Sequence, residues 1–286
     1  MTALLVRRAG LALVQDAGRP GQAAIGVGRS GAADRSSYAL ANRLVGNAAG
    51  AAAVEVTLGG LEVEAVAGTA WVVVTGAPAP LLLDGRPEPA GAVLALRPGA
   101  RLALGPPLSG LRSYLAVRGG VDVPAVLGSR SRDTLAGLGP EPLAGGVRLA
   151  VGHAAAEDIR VDAVPPQEYD ARPVLRLVRG PRDGWVRDVG VLTTTAWTVA
   201  PDSDRVGLRL TGARLEPAAD LPSGGQLPSE GAVRGAIQVP PGGEPVVLGP
   251  DHPVTGGYPV VAVVVDADTD RLAQLRPGEQ VGFTWD

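Results

Sequence analysis

Residues 65–83, AVAGTAWVVVTGAPAPLLL, form a run of 19 residues without a charge. This is close to the length that an apolar helix needs to cross a membrane. Gly68 and Gly76 interrupt the run, and Pro78 and Pro80 follow within it. Because these residues break helices and favour turns, we expect two buried β-strands around a turn in place of a spanning helix.

The same pattern of short apolar runs between Gly and Pro turns extends over most of the chain. Runs rich in Val and Leu and bounded by turn residues predict strands. Few helix-length segments separate them, which favours a barrel or sandwich over alternating strands and helices. The predicted strands are 52–58, 70–75, 93–96, 111–117, 174–178, 206–210, 246–248 and 260–265.

Two helices are predicted. The first covers 32–45, with Ser30 available as its N-cap and Gly46-Asn47 as its end. The second covers about 269–275, after Asp268.

The length of 286 residues allows one large domain or two ordinary ones. We predict domains at 1–150 and 174–286. A linker is predicted over 151–173, which contains acidic residues and three prolines but lacks the regular spacing of apolar residues that is typical of a helix or strand. The heptapeptides 96–102 and 275–281 resemble each other. Either a duplicated barrel or a recurrent turn before a strand explains this match.

Composition excludes several classes of function. All 26 basic residues are Arg, so lysine chemistry is absent, and there is no Cys for thiol catalysis or disulfides. The net charge of −3 gives no basic face, so we expect no nucleic-acid partner. The first 14 residues do not have the pattern of a signal peptide, so we expect a cytoplasmic protein without membrane contact.

Residues 26–31, GVGRSG, imitate a dinucleotide-binding loop, with Glu55 downstream at nearly the right spacing. Such a site needs a strand directly before the glycines and repeated βαβ units. Only Ala23-Ala24-Ile25 precedes them, and Glu55 lies inside an apolar strand pattern. We therefore interpret this stretch as a glycine-rich loop shaped for close backbone approach.

Two explanations stay open for the polar residues of this loop. Backbone N–H groups near a helix N-terminus form a good anion site, to which Ser30 would add a hydroxyl. Alternatively, Ser30 only caps the helix and Asp34 complements the helix dipole. Asp16 and Arg19 are expected to hold the loop to itself.

A second set of polar residues lies at strand ends beside glycines in the C-terminal half. Arg205 is suited to holding a carboxylate bidentately. Glu230 would act as a base or pair with Arg205, and Gln238 would bond to backbone in a turn. His153 and His252 are the only histidines and lack metal-ligand spacing, so no metal site is predicted.

Taken together, many stretches in order resemble the family that contains the 5-oxoprolinase C subunit, allophanate hydrolase subunit 2 and KipA, also known as biotin-dependent carboxyltransferases. The resemblance covers almost the whole chain. Its stretches are 14–21, 26–27, 30–35, 41–47, 55–60, 114–120, 127–131, 203–207, 229–231, 235–240 and 255–259.

The resemblance implies a mostly β fold of cyclophilin-like closed barrels, here two related barrel domains with a few short helices. It also implies work in a complex with a KipI-like B subunit and with an A subunit. That complex would hydrolyse 5-oxo-L-proline to L-glutamate with ATP, while this chain would bind no cofactor tightly. Two alternatives stay open, because a fold does not determine a function. One is a carboxyltransferase acting on urea or another amide, and the other is a KipA-like non-catalytic regulator bound to a KipI-like partner.

Residues that match the family pattern give the predicted site. Glu230 and Arg205 are the candidate catalytic residues, with Arg205 binding a carboxylate. Candidate substrate-binding residues are Ser30, Asp34, Gln238, Gly256, Gly257 and Tyr258.

Overall fold

The computed structural model describes residues 2–219 and 227–286 and is mostly β. The chain divides into two compact units. Unit 1 comprises Met1–Arg19, Ser30–Asp133 and Gly137–Tyr169, and unit 2 comprises Pro20–Arg29, Thr134–Ala136 and Asp170–Asp286. The main division between them thus falls between Tyr169 and Asp170.

Unit 1 contains twelve strands among its described residues, arranged in two sheets. One sheet has the order β11-β12-β1-β4-β9-β6-β7 and the other the order β2-β3-β10-β5-β8. The strands are β1 (Ala3–Arg8), β2 (Leu11–Gln15), β3 (Ala53–Thr57), β4 (Glu62–Ala67), β5 (Ala70–Gly76), β6 (Leu81–Leu83), β7 (Arg86–Glu88), β8 (Leu94–Leu96), β9 (Arg101–Leu104), β10 (Arg112–Val117), β11 (Val121–Asp122) and β12 (Arg148–Val151).

The uncharged run at 65–83 contributes to three of these strands, namely the end of β4, all of β5 and β6. Its glycines and prolines lie largely in the turns between strands, and most of the residues of β5 are buried. No helix among residues 2–219 and 227–286 is long and apolar enough to span a membrane. The prediction of buried strands around a turn is therefore confirmed, with one strand more than expected.

Helix α1 (Arg35–Leu44) is the long helix of unit 1 and is shorter than predicted. Its N-cap is Asp34, whose side chain accepts a hydrogen bond from the N–H of Ser37 at 2.9 Å. The prediction that Ser30 caps the helix was wrong, because the chain between Ser30 and Asp34 is not helical. Tyr38 and Ala41 on its buried face pack against β10.

The predicted linker largely belongs to unit 1. Ala48 donates its N–H to the carbonyl of Ala154, and Val93 donates to that of Asp162 at 2.8 Å. Farther along, the hydroxyl of Ser37 donates to Oε1 of Gln167 at 3.1 Å. Residues 152–169 therefore form a strap that is hydrogen-bonded to unit 1 along its length.

Unit 2 is built on a closed barrel of seven strands, in the order β13-β20-β17-β18-β15-β14-β21. A separate two-stranded ribbon, β16 with β19, completes its described strands. The strands are β13 (Val174–Arg179), β14 (Trp197–Val199), β15 (Gly207–Thr211), β16 (Glu230–Gly231), β17 (Ala236–Gln238), β18 (Val246–Leu248), β19 (Thr255–Gly256), β20 (Val260–Val264) and β21 (Gln280–Trp285), and the short helices are α2 (Val191–Thr194) and α3 (Thr269–Leu272).

The barrel core is aliphatic with a few aromatics. Trp197, Leu175 and Ile237 are fully buried and belong to one hydrophobic cluster. The prediction of a mostly β fold with a closed barrel is confirmed for unit 2. The described strands of unit 1 form two sheets, and the closed barrel is observed in unit 2. Alternation of Val and Leu with polar residues fits either architecture, which is why the sequence does not separate them.

Candidate functional site

The eight predicted site residues divide between the two units. Ser30 and Asp34 belong to unit 1. Unit 2 holds Arg205, Glu230, Gln238, Gly256, Gly257 and Tyr258.

Asp34 is buried at the N-terminus of α1. Its carboxylate accepts hydrogen bonds from the N–H of Ser37 at 2.9 Å and from the hydroxyl of Ser37 at 2.6 Å. The hydroxyl of Tyr169, from the strap, donates to the same carboxylate at 3.4 Å. Within unit 1, Asp34 thus has the contacts of a helix cap, as the dipole interpretation expected.

Ser30 is also buried and takes a left-handed φ of 54°, which is uncommon for a residue other than glycine. Its hydroxyl donates to the carbonyl of Arg132 at 3.2 Å. The neighbouring Asp16 accepts from the hydroxyls of Ser129 and Ser131 at 2.7 and 2.5 Å. Asp16 also accepts from the N–H of Gly18 at 2.8 Å, so it holds the loop to itself as predicted and in addition anchors the loop to the segment 129–131.

Glu55 is not placed like the acidic residue that binds the ribose in a dinucleotide site. It is buried in β3, where it accepts from the hydroxyl of Tyr114 at 2.8 Å and from the N–H of Ala33 at 2.9 Å. Burial raises the pKa of Tyr114 well above its usual value, and the nearby carboxylates of Glu55 and Asp34 raise it further. Residues Ala23–Ile25 form a 3-10 helix and no strand, which supports the rejection of a dinucleotide loop.

Arg205 lies in a buried ion pair. Its Nε donates to Oδ2 of Asp251 at 2.8 Å and its Nη2 to Oδ1 at 2.9 Å. Thr134 adds two hydrogen bonds to Oδ2 of Asp251, from its N–H at 2.9 Å and its hydroxyl at 2.7 Å. The bidentate hold on a carboxylate was predicted, but the carboxylate is Asp251 of the same unit. The alternative that Arg205 pairs with Glu230 was wrong.

Glu230 pairs instead with Arg182, which follows β13. Nε of Arg182 lies 3.1 Å from both carboxylate oxygens, and its Nη2 donates to Oε1. Both side chains are partly exposed, at 37% for Arg182 and 31% for Glu230. The hydrogen bond from Arg182 lowers the pKa of Glu230 below its ordinary value. Glu230 is therefore ionised and oriented, and it lacks the raised pKa of a general acid.

Gln238 lies beside this pair at the end of β17. An antiparallel pairing in the ribbon sets Glu230 opposite Gly256, so their side-chain positions face the same way. A Cβ built on Gly256 would lie 2.7 Å from Nε2 of Gln238. The carboxamide of Gln238 therefore occupies the space that a side chain at 256 would take. We name the group Arg182, Glu230, Gln238, Gly256 and Tyr258 the ribbon site.

The backbone connects the members of the ribbon site through β20. Arg182 donates its N–H to the carbonyl of Val260 at 3.0 Å, and Val260 is the pairing partner of Gln238. Tyr258 accepts from Nε2 of Gln238 through its carbonyl at 3.4 Å, while its side chain is exposed. The structure thus brings four predicted residues together, and Gly257 adjoins them in sequence.

The ribbon site offers three functional groups of different chemistry. A guanidinium can hold a carboxylate, a fixed carboxylate can accept from an N–H or O–H, and a carboxamide can both donate and accept. Among residues 2–219 and 227–286, no group of three or more His, Cys, Asp or Glu side chains is arranged to hold a metal ion. Nδ1 of His252 lies 2.8 Å from the carbonyl of Pro253.

Arg182 and Asp251 were not among the residues predicted from the sequence. A weak signal for Arg182 exists, because it stands in the turn GPRDG at 180–184, directly after an apolar strand. Asp251 similarly follows Gly249-Pro250. Charged residues in turns are common, so their pairing with residues 46 to 48 positions away becomes visible only in the fold.

Comparisons with known proteins cover nearly the whole chain. A family model described as carboxyltransferase domain, subdomain A and B, matches residues 25–285. The chain is 38% identical to the C subunit of 5-oxoprolinase from Escherichia coli K12, over 98% of this chain and 90% of that protein. It is 33% identical to urea amidolyase of Saccharomyces cerevisiae over 93% of this chain, which corresponds to 16% of that protein.

Solved structures with the same fold include the protein TTHA0988, with a TM-score of 0.89 and 36% identity over 99% of this chain. The chain spans 56% of the length of that protein. The Kluyveromyces lactis urea carboxylase matches with a TM-score of 0.90 and 29% identity over 98% of this chain and 27% of the enzyme. With a family match over most of its length, this chain belongs to the carboxyltransferase domain family, subdomains A and B.

Proposed function

We propose that the chain is the C subunit of an ATP-dependent 5-oxoprolinase, which hydrolyses 5-oxo-L-proline to L-glutamate in the cytoplasm together with its A and B subunits. The observation that carries the proposal is the 38% identity to the E. coli C subunit, which extends over 90% of that protein. The Haemophilus influenzae C subunit is 34% identical over 95% of this chain. Both relatives are of comparable length to this chain.

The ribbon site supports this proposal through its chemistry. The substrate 5-oxo-L-proline carries a carboxylate and a lactam, so it needs a cation and amide-compatible hydrogen bonds. Arg182 supplies a partly exposed guanidinium, and a guanidinium can hold more than one carboxylate through its five N–H groups. Arg182 is therefore better placed than the buried Arg205 to receive the substrate carboxylate, and Glu230 would orient it.

This assignment revises the roles predicted from sequence. Arg205 saturates one edge of its guanidinium with Asp251 in a buried pair, which fits a structural role. Glu230 is held by Arg182 with a lowered pKa, which fits an orienting carboxylate better than a proton donor. Gln238, Gly256, Gly257 and Tyr258 remain proposed substrate-binding residues.

A carboxyltransferase acting on urea or another amide is the second candidate. The matches to urea amidolyase and urea carboxylase favour it, since both cover more than nine-tenths of this chain. Those matches use only 16% and 27% of the relatives, which are much longer proteins. The two 5-oxoprolinase relatives are matched over most of their own length, which is why the oxoprolinase assignment is preferred.

Reconstitution tests the proposal. The chain is purified and combined with 5-oxoprolinase A and B subunits, and L-glutamate release from 5-oxo-L-proline is measured with each component omitted in turn. We expect release only when all three proteins and ATP are present. Release without this chain would contradict its assignment as a required component. Transfer of carbon from bicarbonate to urea by the same mixture, with a biotinylated protein present, would support the second candidate instead.

A further inference from the structure

Gly256 differs from the other glycine of the ribbon, because its missing side chain leaves room for a functional group of the barrel. A Cβ at Gly256 would approach Nε2 of Gln238 to 2.7 Å and its Cδ and Oε1 to 3.6 Å. At Gly231 a Cβ would meet nothing within 4 Å. Neither glycine has a positive φ, so backbone conformation does not require glycine at either position. The carboxamide of Gln238 thus fills the space that a side chain at position 256 would occupy.

The direction of the Gln238 side chain is set by the barrel itself. The pairing of β17 with β20 contains a register shift between Ile237 and Gln238. Ile237 pairs with Ala262 and Gln238 with Val260, so the extra residue lies on β20 and β17 keeps its regular alternation of faces. Ile237 packs into the barrel core, whereas Gln238 contacts the ribbon. The alternation of faces along β17 therefore places the carboxamide beside Gly256, whose ribbon partner is Glu230.

The hydrogen bonding of this carboxamide within the protein is weak. Its bond to the carbonyl of Tyr258 measures 3.4 Å, beyond the usual range of N–H···O distances. Gln238 would therefore exchange its hydrogen bond to Tyr258 for a shorter one to a ligand at little cost in free energy. A side chain that served only to fix the loop at 258 would be expected to make a shorter bond.

We propose that Gln238 recognises the amide group of the substrate through two hydrogen bonds, and that Gly256 is required because it leaves room for this carboxamide. Oε1 of Gln238 accepts from the substrate N–H, and Nε2 donates to the substrate carbonyl oxygen. A lactam presents its N–H and C=O on one edge, and so does each amide edge of urea. A carboxamide is complementary to both, since it has one donor and one acceptor side by side. The inference rests on the proposed function, because it assumes a small amide as the substrate.

The test uses the reconstituted three-protein complex with five variants of this chain, of which Gln238→Asn is the conservative one. Gln238→Ala removes the carboxamide, and Gly256→Ala displaces it. Gly231→Ala is the matched control in the same ribbon, and the double variant Gln238→Ala/Gly256→Ala tests whether the two positions act through one another. Loss of two neutral hydrogen bonds predicts a rise in KM for 5-oxo-L-proline on the order of tenfold or more.

The expected result is a similar rise in KM for Gln238→Ala and Gly256→Ala, no change for Gly231→Ala, and no further rise in the double variant. Gln238→Asn, which retains a carboxamide on a shorter chain, should lose less than Gln238→Ala. An unchanged KM for Gln238→Ala, additive losses in the double variant, or an equal loss for Gly231→Ala would each overturn the proposal. If Gln238→Ala does not fold, Gln238→Asn and Gly256→Ala decide the question by the same comparison.

Failure of the oxoprolinase assignment is separable from failure of this inference. If the wild-type complex does not open 5-oxo-L-proline, binding of 5-oxo-L-proline and of urea is measured by saturation-transfer NMR. Binding of either amide that disappears in Gln238→Ala and survives in Gly231→Ala supports amide recognition with a different reaction. Absence of binding by the wild type, or binding that is the same in Gln238→Ala, rules it out.

Discussion

Replacing Asp251 with Asn should destabilise unit 2 more than any comparable change at its surface. Arg205 and Asp251 are joined by two hydrogen bonds of 2.8 and 2.9 Å, and their side chains are 7% and 0% exposed. Asp251→Asn keeps the shape of the side chain but removes the negative charge that faces the buried Arg205 cation. Breaking one side of a buried pair typically costs about 3–5 kcal/mol. That is a large part of the roughly 5–15 kcal/mol that stabilises a typical domain.

The assay is urea unfolding of the purified chain, followed by tryptophan fluorescence. Trp197 is fully buried in the barrel, and Trp185 and Trp285 also belong to unit 2, so the signal reports mainly on this unit. The matched control is Asp202→Asn, which breaks the pair of Asp202 with Arg209.

The control pair has a similar N···O distance of 3.0 Å, but its side chains are 56% and 69% exposed. Exposed ion pairs are worth at most about 1 kcal/mol, so the control should lose little. The double variant Arg205→Met/Asp251→Leu should recover much of the loss, because it removes both buried charges. Equal small losses for Asp251→Asn and Asp202→Asn would refute the view that Arg205 has a structural role.

Three further predictions concern unit 1 and the ribbon site. Tyr114→Phe removes a buried hydroxyl that bonds a carboxylate and the N–H of Asp34, and should lower the free energy of unfolding by about 1–3 kcal/mol in urea titrations. Asp34→Ala should cost about 1 kcal/mol as a lost N-cap and Ser30→Ala less, so equal losses would contradict the observed cap. In an NMR titration, Glu230 should ionise below its ordinary pKa, and Arg182→Gln should return it towards that value. The stabilisation by this pair is present above the unfolded pKa of Glu230 and is lost as pH falls through the lowered folded pKa, so an unchanged titration in the variant would be inconsistent with the pairing.

Local sequence patterns predicted the strands well. The strand Val246–Leu248 has the predicted bounds, and the strand at Val260–Val264 differs by one residue. Both are apolar, Val-rich runs between turn signals, and the local sequence is enough to predict such strands. Residues 96–102 and 275–281 each include a turn that leads into a strand, so the resemblance between these two heptapeptides does not require a duplicated domain.

Helix capping and charge pairing were harder to predict. Ser30 and Asp34 are both good caps, and only the backbone conformation shows that α1 begins after Asp34. The alternative that Glu230 pairs with Arg205 was wrong, because Arg182 and Arg205 are equally plausible partners in sequence. Which arginine approaches it depends on β13, β20 and the ribbon being placed together, and no local pattern carries that information.

The most direct test of the proposed function is the coupling between ATP hydrolysis and ring opening in the complete complex. L-Glutamate and ADP are quantified together while 5-oxo-L-proline is consumed by this chain with the A and B subunits. We expect glutamate to accumulate only with ATP, in proportion to ADP, and to be slowed when Arg182→Ala removes the proposed carboxylate-binding group. Glutamate formation that is independent of ATP, or none from the complete complex, would contradict the assignment of this chain to an ATP-dependent 5-oxoprolinase.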